Sequence, residues 1–537
     1  MILNIAMLAQ KTENAASPSC LERSEIERIQ IITVTPAAKT KQMWRDEQNG
    51  RSAISGLRLP PGALQETVRY QSEGPRPPLA YIRPLCASDA CRSRSGATLE
   101  NIFVSHALNV TYKESDPWNL LISNANQGVP VIKQYWQKTN IFPGMLKLCL
   151  KEQFCKVVQK TRELFVNMYN KTLFAVDCFI WPEDKETVYK VSSLQSNIQW
   201  LVRPAGSYRN SLATGFIVAN GAKLNYSISK LLDKFTQKED MNSANIFPVT
   251  LVQMYIHQPF LINSRKHTMR LYLLIKSFDP LEMYLSHYGE VFFAAHPFQQ
   301  GKEHLNDTCM QFDVTSVTDC LSEETVSLYW TLQNYWFVLK KTGRGKDRDI
   351  LWSKIRSVAT HAGLMVASSA LSFWSKTYDR TKLPGKAYWE SAYSLLALEI
   401  QIDESKQPWL VGINCDPGLA HLGSYQRNSL KAKLMKTLVD DYLSLNGDFA
   451  DNFKYLTDTD GVSNHLRVFC QQRGGCTAKE SYHVLSYENA HRANVRYEVL
   501  FPRPAMTGSQ LQLWRSFQSS NSVLVQWALY KKMHNTQ

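Results

Sequence analysis

The stretch that decides the fold runs from Leu398 to Asn414 and reads L-E-I-Q-I-D-E-S-K-Q-P-W-L-V-G-I-N. Apolar and polar residues alternate at its start, which is typical of a half-buried strand, and the polar run that follows indicates a turn. The alternation resumes after the turn. We therefore predict an antiparallel hairpin in which Ile402 pairs with Trp409 and Glu399 pairs with Gly412.

Side chains two residues apart on a strand point to the same face, so Glu399, Gly412 and Asn414 should share one region of the hairpin. A carboxylate beside an amide offers the oxygen ligands that Mg²⁺ prefers. The alternative is the polar outer face of an ordinary hairpin. From these residues alone, the ordinary hairpin is the favoured interpretation.

Outward from the hairpin, helical and extended patterns alternate along the chain. Helical periodicity predicts long helices over residues 145–170 and 349–369. Short apolar runs, several of them ended by proline, predict strands over residues 79–82, 109–112, 118–122, 179–182, 200–204, 249–256, 269–275, 281–285 and 290–294. The fold class that follows is α+β.

The chain carries 61 Lys and Arg against 47 Asp and Glu, a formal net charge of +14. Such a charge favours an acidic partner, which could be nucleic acid, an anionic membrane, a nucleotide or an acidic polypeptide. Eleven of the basic residues lie between Lys340 and Lys386, although a run of this kind is usually a solvated surface. No standard DNA- or RNA-reading motif is present, so a nucleic-acid partner rests on charge alone.

The eleven cysteines are scattered and include no C-x-x-C pair, which fits a reducing compartment and buried, unpaired thiols. Four histidines, at positions 257, 287, 296 and 304, lack the spacing typical of metal ligands. No apolar run reaches the length of a membrane span, and Met1–Ala9 lacks the basic leader of a signal peptide. We predict a cytoplasmic protein with no membrane or nucleic-acid partner.

Several motifs bear a likeness to one family. The longest runs from Val252 to Leu285 and reads V-Q-M-Y-I-H-Q-P-F-L-I-N-S-R-K-H-T-M-R-L-Y-L-L-I-K-S-F-D-P-L-E-M-Y-L. Shorter ones are N-I-F-P-G at 140–144, W-P-E-D at 181–184, I-N-C-D-P-G-L at 413–419 and Y-E-V-L-F-P at 497–502. In order and spacing, over about residues 79–445, the chain resembles the tubulin tyrosine ligase-like family of ATP-grasp ligases.

The resemblance implies an ATP-grasp fold, with two α+β lobes (residues 145–260 and 261–445) around a nucleotide cleft. A small α/β module, residues 77–144, would precede the lobes. Residues 1–76 carry few aromatics and end in a proline-rich stretch, and are predicted to be a disordered N-terminal extension. Residues 446–537 are assigned to a C-terminal extension.

The family reaction activates a carboxylate as an acyl phosphate, which an amine then attacks. The resemblance therefore implies ATP and Mg²⁺ as cofactors, and tubulin or microtubules as partners through acidic C-terminal tails. The amino acid joined would be glutamate, with glycine or tyrosine as alternatives. The cell compartment implied is the cytoskeleton, including the cilium or basal body, and the basic stretch would suit an acidic tail.

Residue by residue, the resemblance assigns a candidate site. Arg203 corresponds to the family's phosphate-binding lysine, and Gly215 belongs to the phosphate loop that follows it. The adenine-contacting hinge corresponds to Gln253, Met254, Tyr255 and Ile256. Lys266 and Arg270 match the catalytic basic positions, and Glu399 and Asn414 match two of the three Mg²⁺ ligands.

Other positions depart from the family pattern. Thr268 replaces an acid, Phe292 replaces a substrate-gripping arginine, and Gly412 replaces the third metal ligand, a carboxylate. The H-L-T-N motif is lost at Met310–Thr315, and Ala213 replaces a loop glycine. Two hypotheses follow: an active amino-acid ligase that acts on an acidic protein tail, or a catalytically silent member that binds tubulin or a nucleotide.

Overall fold

The computed structural model describes residues 79–82 and, with gaps, residues 109–534. The longest gaps are 124–136, 206–215, 237–248, 313–319, 321–327, 378–390, 418–429, 439–461 and 507–521. The predicted N-terminal extension therefore lies outside the described residues, as do Ala213 and Gly215.

The first sheet is small and parallel. Its strands are β1 (Leu79–Ile82), β2 (Asn109–Thr111), β3 (Leu120–Ile122) and β4 (Lys138–Thr139), in the order β2-β1-β3-β4. Leu120 and Leu121 are fully buried, which explains the continuous apolar run in β3. The three strands predicted between residues 79 and 122 are confirmed.

Two helices and a second sheet follow. Helices α1 (Met145–Cys149) and α2 (Lys151–Met168) replace the single helix predicted over 145–170, because the chain bends at Leu150. Strands β5 (Cys178–Trp181), β6 (Gln199–Pro204), β7 (Ile217–Asn220) and β8 (Thr250–Met254) pair antiparallel in the order β5-β8-β6-β7. Helices α3 (Lys185–Leu194) and α4 (Leu224–Thr236) pack on this sheet.

The third sheet is the largest. It contains β9 (His267–Phe278), β10 (Leu281–Phe293), β11 (Tyr329–Thr331), β12 (Ser394–Ile402), β13 (Pro408–Asn414) and β14 (Tyr497–Phe501), all paired antiparallel. The order is β11-β10-β9-β12-β13, and β14 pairs with the same strand, β10, as β11 does. The short helix α5 (Thr308–Gln311) lies between β10 and β11 in the chain.

Both faces of this sheet are covered. Helices α6 (Leu332–Lys341) and α7 (Gly345–Thr377) pack on the face that presents Leu271 and Leu273. Helices α8 (Val462–Gln472), α9 (Ala478–Arg492) and α10 (Val523–His534) pack on the face that presents Tyr272 and Leu274. Burial on both sides explains why β9 reads as a nearly continuous apolar run. None of the described helices is long and apolar enough to cross a membrane.

Two strand predictions were wrong in detail. The strands predicted over 281–285 and 290–294 form the single strand β10, because its pairing with β9 continues across a register shift between Leu285 and Gly289. In the β12–β13 hairpin, Glu399 pairs with Gly412 as predicted, but Ile402 pairs with Pro408. An irregularity between Glu399 and Ile400 shifts the register by one residue.

The cysteines also differ from the prediction of unpaired thiols. Among the residues that the structure describes, disulfides join Cys149 to Cys415, Cys155 to Cys178, Cys309 to Cys320 and Cys470 to Cys476. Two of these pairs are separated by 266 and 23 residues, respectively, so no local spacing pattern could have revealed them.

Candidate functional site

A cavity of about 320 Å³ opens where α2, the second sheet and the β12–β13 hairpin meet. That volume is at the small end of the range typical of ligand pockets. The polar residues that line it are Lys151, Arg203, Gln253, Glu399 and Asn414, with Gly412 between them. Four of these residues are predicted site residues, drawn together from three separate parts of the chain.

Arg203 projects from β6 into this cavity. Its Nη2 donates to Gln253 Oε1 at 2.8 Å, and Gln253 Nε2 in turn donates to the Val411 carbonyl at 3.3 Å. The buried Arg203 Nε has no hydrogen-bond partner among the described residues. Burial lowers the pKa of Arg203, an effect that the nearby Glu399 carboxylate partly opposes. A buried guanidinium with an unused donor is suited to binding an anion.

Lys151 is a cavity residue that the sequence interpretation missed. It opens α2, and burial and the neighbouring Arg203 lower its pKa to about 8, against the opposing effect of Glu399. The predicted helix over residues 145–170 includes Lys151, but helical periodicity does not show which of its polar residues faces a cavity.

Glu399 is the one acidic side chain among the described residues that line the cavity. Its Oε1 accepts a hydrogen bond from Arg270 Nη2 at 3.1 Å. Its Oε2 lies over Gly412, only 3.1 Å from where a Cβ on that residue would stand. The Glu399 carboxylate thus occupies the space that a side chain at position 412 would need.

These residues do not fit a Mg²⁺ site of the kind the resemblance implies. Among the described residues, the donor set is one carboxylate and the amide of Asn414, and the carboxylate is already paired with an arginine. Mg²⁺ requires near-octahedral oxygen ligation and is held in proteins chiefly by carboxylates. Arg203 and Lys151 add positive charge around the same position, which further disfavours a divalent cation.

Lys266 lies in a second, separate polar cluster. Its Nζ donates to Tyr255 Oη and to Gln311 Oε1, each at 2.8 Å, and sits 4.2 Å from the centre of the Tyr255 ring. Burial lowers the pKa of this lysine to about 7. Gln311 belongs to α5, within the segment where the family motif is lost, and no sequence motif predicted its contact with Lys266.

The remaining predicted residues lie outside the cavity lining. Met254 packs against the apolar core of the second sheet, and Ile256 is buried. Phe292, at the position of the family's substrate-gripping arginine, is buried with the Arg270 guanidinium 5.1 Å from its ring centre. Thr268 accepts a hydrogen bond from Gln401 at 3.4 Å.

Comparison with known proteins identifies the relatives of this chain. It is 25% identical over 312 residues to the tubulin monoglutamylase TTLL4 of Mus musculus. This alignment covers 57% of this chain and 23% of the mouse protein. Over 332 residues it is 26% identical to the tubulin polyglutamylase ttll-4 of Caenorhabditis elegans, covering 60% of this chain and 48% of the relative. It is also 25% identical over 367 residues to the probable tubulin polyglutamylase TTLL2 of Homo sapiens, an alignment that covers 66% of this chain and 54% of the human protein.

The chain thus spans between about a quarter and about half of the length of these relatives. The sequence signature of the tubulin-tyrosine ligase family matches residues 131–450, which include α2, the second sheet, the β12–β13 hairpin and therefore the whole cavity lining. Because this match covers more than half of the sequence, the chain belongs to the tubulin-tyrosine ligase family.

Proposed function

We propose that this chain binds a nucleotide and the acidic tail of tubulin without joining an amino acid to that tail. Its fold would be that of the ATP-grasp ligases, with the nucleotide cleft between residues 145–260 and 261–445. Relatives named as tubulin glutamylases support tubulin as the partner. The departures at the metal site support the loss of ligation.

The observation that carries the proposal is the pairing of Glu399 with Arg270 above Gly412. Phosphoryl transfer depends on metal ions that neutralise charge between the β- and γ-phosphates. A single carboxylate, neutralised by an arginine, is a poor ligand set for such an ion. Without the ion, an acyl-phosphate intermediate would not form at a useful rate.

The charge of the cavity supports nucleotide binding. Lys151 and Arg203 are two cations in the lining, and the single carboxylate there, Glu399, is already paired with Arg270. A cavity with an excess of cations attracts phosphate groups directly. Arg203 would bind phosphate, with its unused Nε as a further donor, and Lys151, at the start of α2, would add a second cation.

The exposed part of the basic stretch supports binding of an acidic tail. Three of its cations already have partners within the chain: Arg344 pairs with Asp347, Arg356 pairs with Glu498, and Lys354 donates to the Lys406 carbonyl. Four others are exposed around the turn between α6 and α7. These four, here called the turn cations, are Lys340, Lys341, Lys346 and Arg348.

An incorporation assay tests the proposal. The full chain is incubated with tubulin, ATP, Mg²⁺ or Mn²⁺, and radiolabelled glutamate, glycine or tyrosine in turn. We expect no incorporation above that of a heat-denatured sample, together with retention of the chain on tubulin-tail peptides. Incorporation of any of the three amino acids would support the alternative, an active ligase, which the retained basic residues Lys266 and Arg270 favour.

A further inference from the structure

We propose that His296, Asp307, Cys309 and Cys320 form a zinc site when the Cys309–Cys320 disulfide is reduced. This site is separate from the cavity described above, and it would stabilise α5. No sequence motif predicted this site, because the four residues have none of the close spacings that identify zinc motifs.

The fold brings the four side chains together. His296 follows the end of β10 and Asp307 directly precedes α5, yet His296 Nδ1 lies 2.9 Å from Asp307 Oδ2. The ligand atoms of His296, Asp307 and Cys309 all lie within 4.8 Å of one another. Cys320 is bonded to Cys309, so its sulfur is also at the cluster.

The backbone holds this arrangement in place. His296 N donates to the Cys309 carbonyl at 2.9 Å, which ties the end of β10 to α5. Asp307 Oδ1 accepts from the backbone N–H of Cys309 at 2.9 Å, so this carboxylate is oriented while its Oδ2 faces His296. The positions of three potential ligands are therefore determined by contacts that do not depend on a metal.

The chemistry of the donor set favours zinc. Two sulfurs, one imidazole nitrogen and one carboxylate oxygen make four ligands of the types that Zn²⁺ takes in closed tetrahedral sites. Magnesium and calcium, which prefer oxygen, would not be held by such a set. With bond lengths of about 2.0–2.3 Å, tetrahedral ligand atoms lie roughly 3.3–3.8 Å apart. The observed spacing is close enough for small side-chain rotations to reach that geometry.

Binding requires two balanced steps. A cellular dithiol reduces the Cys309–Cys320 bond, transferring two electrons and two protons and becoming a disulfide itself. Zn²⁺ then replaces the two thiol protons, which are released to solvent, and binds both thiolates together with neutral His296 and ionised Asp307. The disulfide and the zinc site are thus alternative states of the same two sulfurs.

The expected consequence is a metal-stabilised α5. Gln311, the last residue of α5, accepts the hydrogen bond from Lys266 Nζ and the one from Tyr255 Oη. Zinc at the N-terminal side of this helix would keep Gln311 in position after reduction of the disulfide. Reduced, metal-free protein should lose that constraint.

Metal titration of the reduced full chain tests the site. The protein is reduced with a phosphine, freed of metal and titrated with Co²⁺, whose ligand-field and thiolate charge-transfer absorption report tetrahedral sulfur ligation. Zinc is then added and counted by elemental analysis. We expect one equivalent of Co²⁺ with thiolate bands, displaced by one equivalent of Zn²⁺.

Three variants define the result. Cys309→Ser with Cys320→Ser should abolish the thiolate bands, whereas Cys470→Ser with Cys476→Ser, which removes another close pair, should leave them unchanged. His296→Gln, at an exposed side chain that does not support the core, should weaken zinc binding by at least about tenfold. Wild-type protein without thiolate bands, a Cys309/Cys320 variant that keeps them, or a His296 variant with unchanged affinity would each overturn the proposal.

Discussion

At the scale of single residues, Glu399 and Gly412 face each other across the β12–β13 hairpin, in the lining of the cavity. Glu399 Oε2 lies 3.1 Å from where a Cβ at 412 would stand, so a shift of the flexible carboxylate by a few tenths of an ångström would accommodate a side chain there. Gly412→Glu should therefore fold and place a second carboxylate beside the first.

We expect the second carboxylate of Gly412→Glu to give this variant a response to Mg²⁺ that the wild type lacks. Millimolar Mg²⁺ should raise the free energy of unfolding of the variant by about 1 kcal/mol, because two carboxylates and Asn414 form a better ligand set. Gly412→Gln has the same size without the charge and is the control. Equal responses of the two variants to Mg²⁺ in thermal denaturation would contradict this account of the site.

Lys266 gives a pH-dependent prediction. Its pKa in the folded protein is about 7, against 10.5 for an unperturbed lysine. Between these values the unfolded chain binds more protons than the folded one, so this group makes the free energy of unfolding increase with pH. The cost of burying a charged lysine is fully present below about pH 7 and is relieved as the pH rises towards 10.5.

In Lys266→Met this contribution disappears. The free energy of unfolding of wild type, minus that of the variant, should therefore rise with pH above about pH 7, by at most about 1.4 kcal/mol per pH unit. Urea denaturation across that range measures it. The exposed lysine Lys230 on α4 provides a control, Lys230→Met, for which the difference should stay flat. A flat difference for Lys266→Met as well would show that its pKa is ordinary.

The residue-level site was partly predictable from the sequence. Alternation along the hairpin predicted the face of each strand, because side-chain direction follows from the period of two. The predicted pair of Glu399 and Gly412 is confirmed, but only because the irregularity between Glu399 and Ile400 offsets the error of one residue at the turn. The ion pair between Glu399 and Arg270 joins residues 129 positions apart. No local sequence pattern predicts a contact between residues so far apart in the chain. The hydrogen bond from Lys266 to Gln311, 45 residues away, was unpredictable for the same reason.

At the scale of elements, β14 and the three helices α8, α9 and α10 complete the largest sheet. Trp527 on α10 is fully buried, with its ring 5.2 Å from that of Phe469 and its Nε1 donating to Glu488 at 2.7 Å. Residues 446–537 were predicted as an extension to the family core, yet their described part covers one face of β9 and β10.

Trp527→Ala should lower the free energy of unfolding by about 3–5 kcal/mol, because it leaves a large cavity and removes a partner of the buried Glu488. Met533→Ala on the same helix, at a side chain that is 64% exposed, should change it by less than about 0.5 kcal/mol. Chemical denaturation of the full chain measures both. A small effect of Trp527→Ala would show that these helices contribute little to the sheet.

The elements themselves were mostly predictable because their apolar periods are long and regular. The exceptions have physical reasons. Polar residues at Ser286 and His287 suggested a break in β10, but hydrogen bonding to β9 resumes beyond them. The proposed zinc ligands lie on loops and on a single-turn helix, where no period exists to be read.

At the scale of the whole molecule, the net charge is +14. Some of the basic residues, such as Arg203, line the cavity, and others, such as the turn cations, are exposed on the surface. The turn cations are the exposed part that we assign to an acidic tail. Replacing all four with alanine should weaken binding of a glutamate-rich tubulin-tail peptide by at least about tenfold. This loss of affinity should be smaller at high salt, because salt screens the surface charges.

The control removes the same number of charges elsewhere. Lys185, Lys190, Lys223 and Lys230 are exposed near the helices of the second sheet, and their replacement with alanine should change peptide affinity by less than about threefold. Fluorescence anisotropy with labelled peptide measures both variants. Equal losses would mean that total charge, rather than the turn cations, governs binding.

The central claim is that this cavity binds nucleotide phosphates through its own cations rather than through a metal ion. Calorimetric titration of the full chain with ATP, in EDTA and then in excess Mg²⁺, tests it most directly. We predict that ATP binds in EDTA and that Mg²⁺ leaves the affinity unchanged or weakens it, because Lys151 and Arg203 attract the free anion more strongly than its magnesium complex. Binding that is absent in EDTA and appears only with Mg²⁺ would contradict the claim.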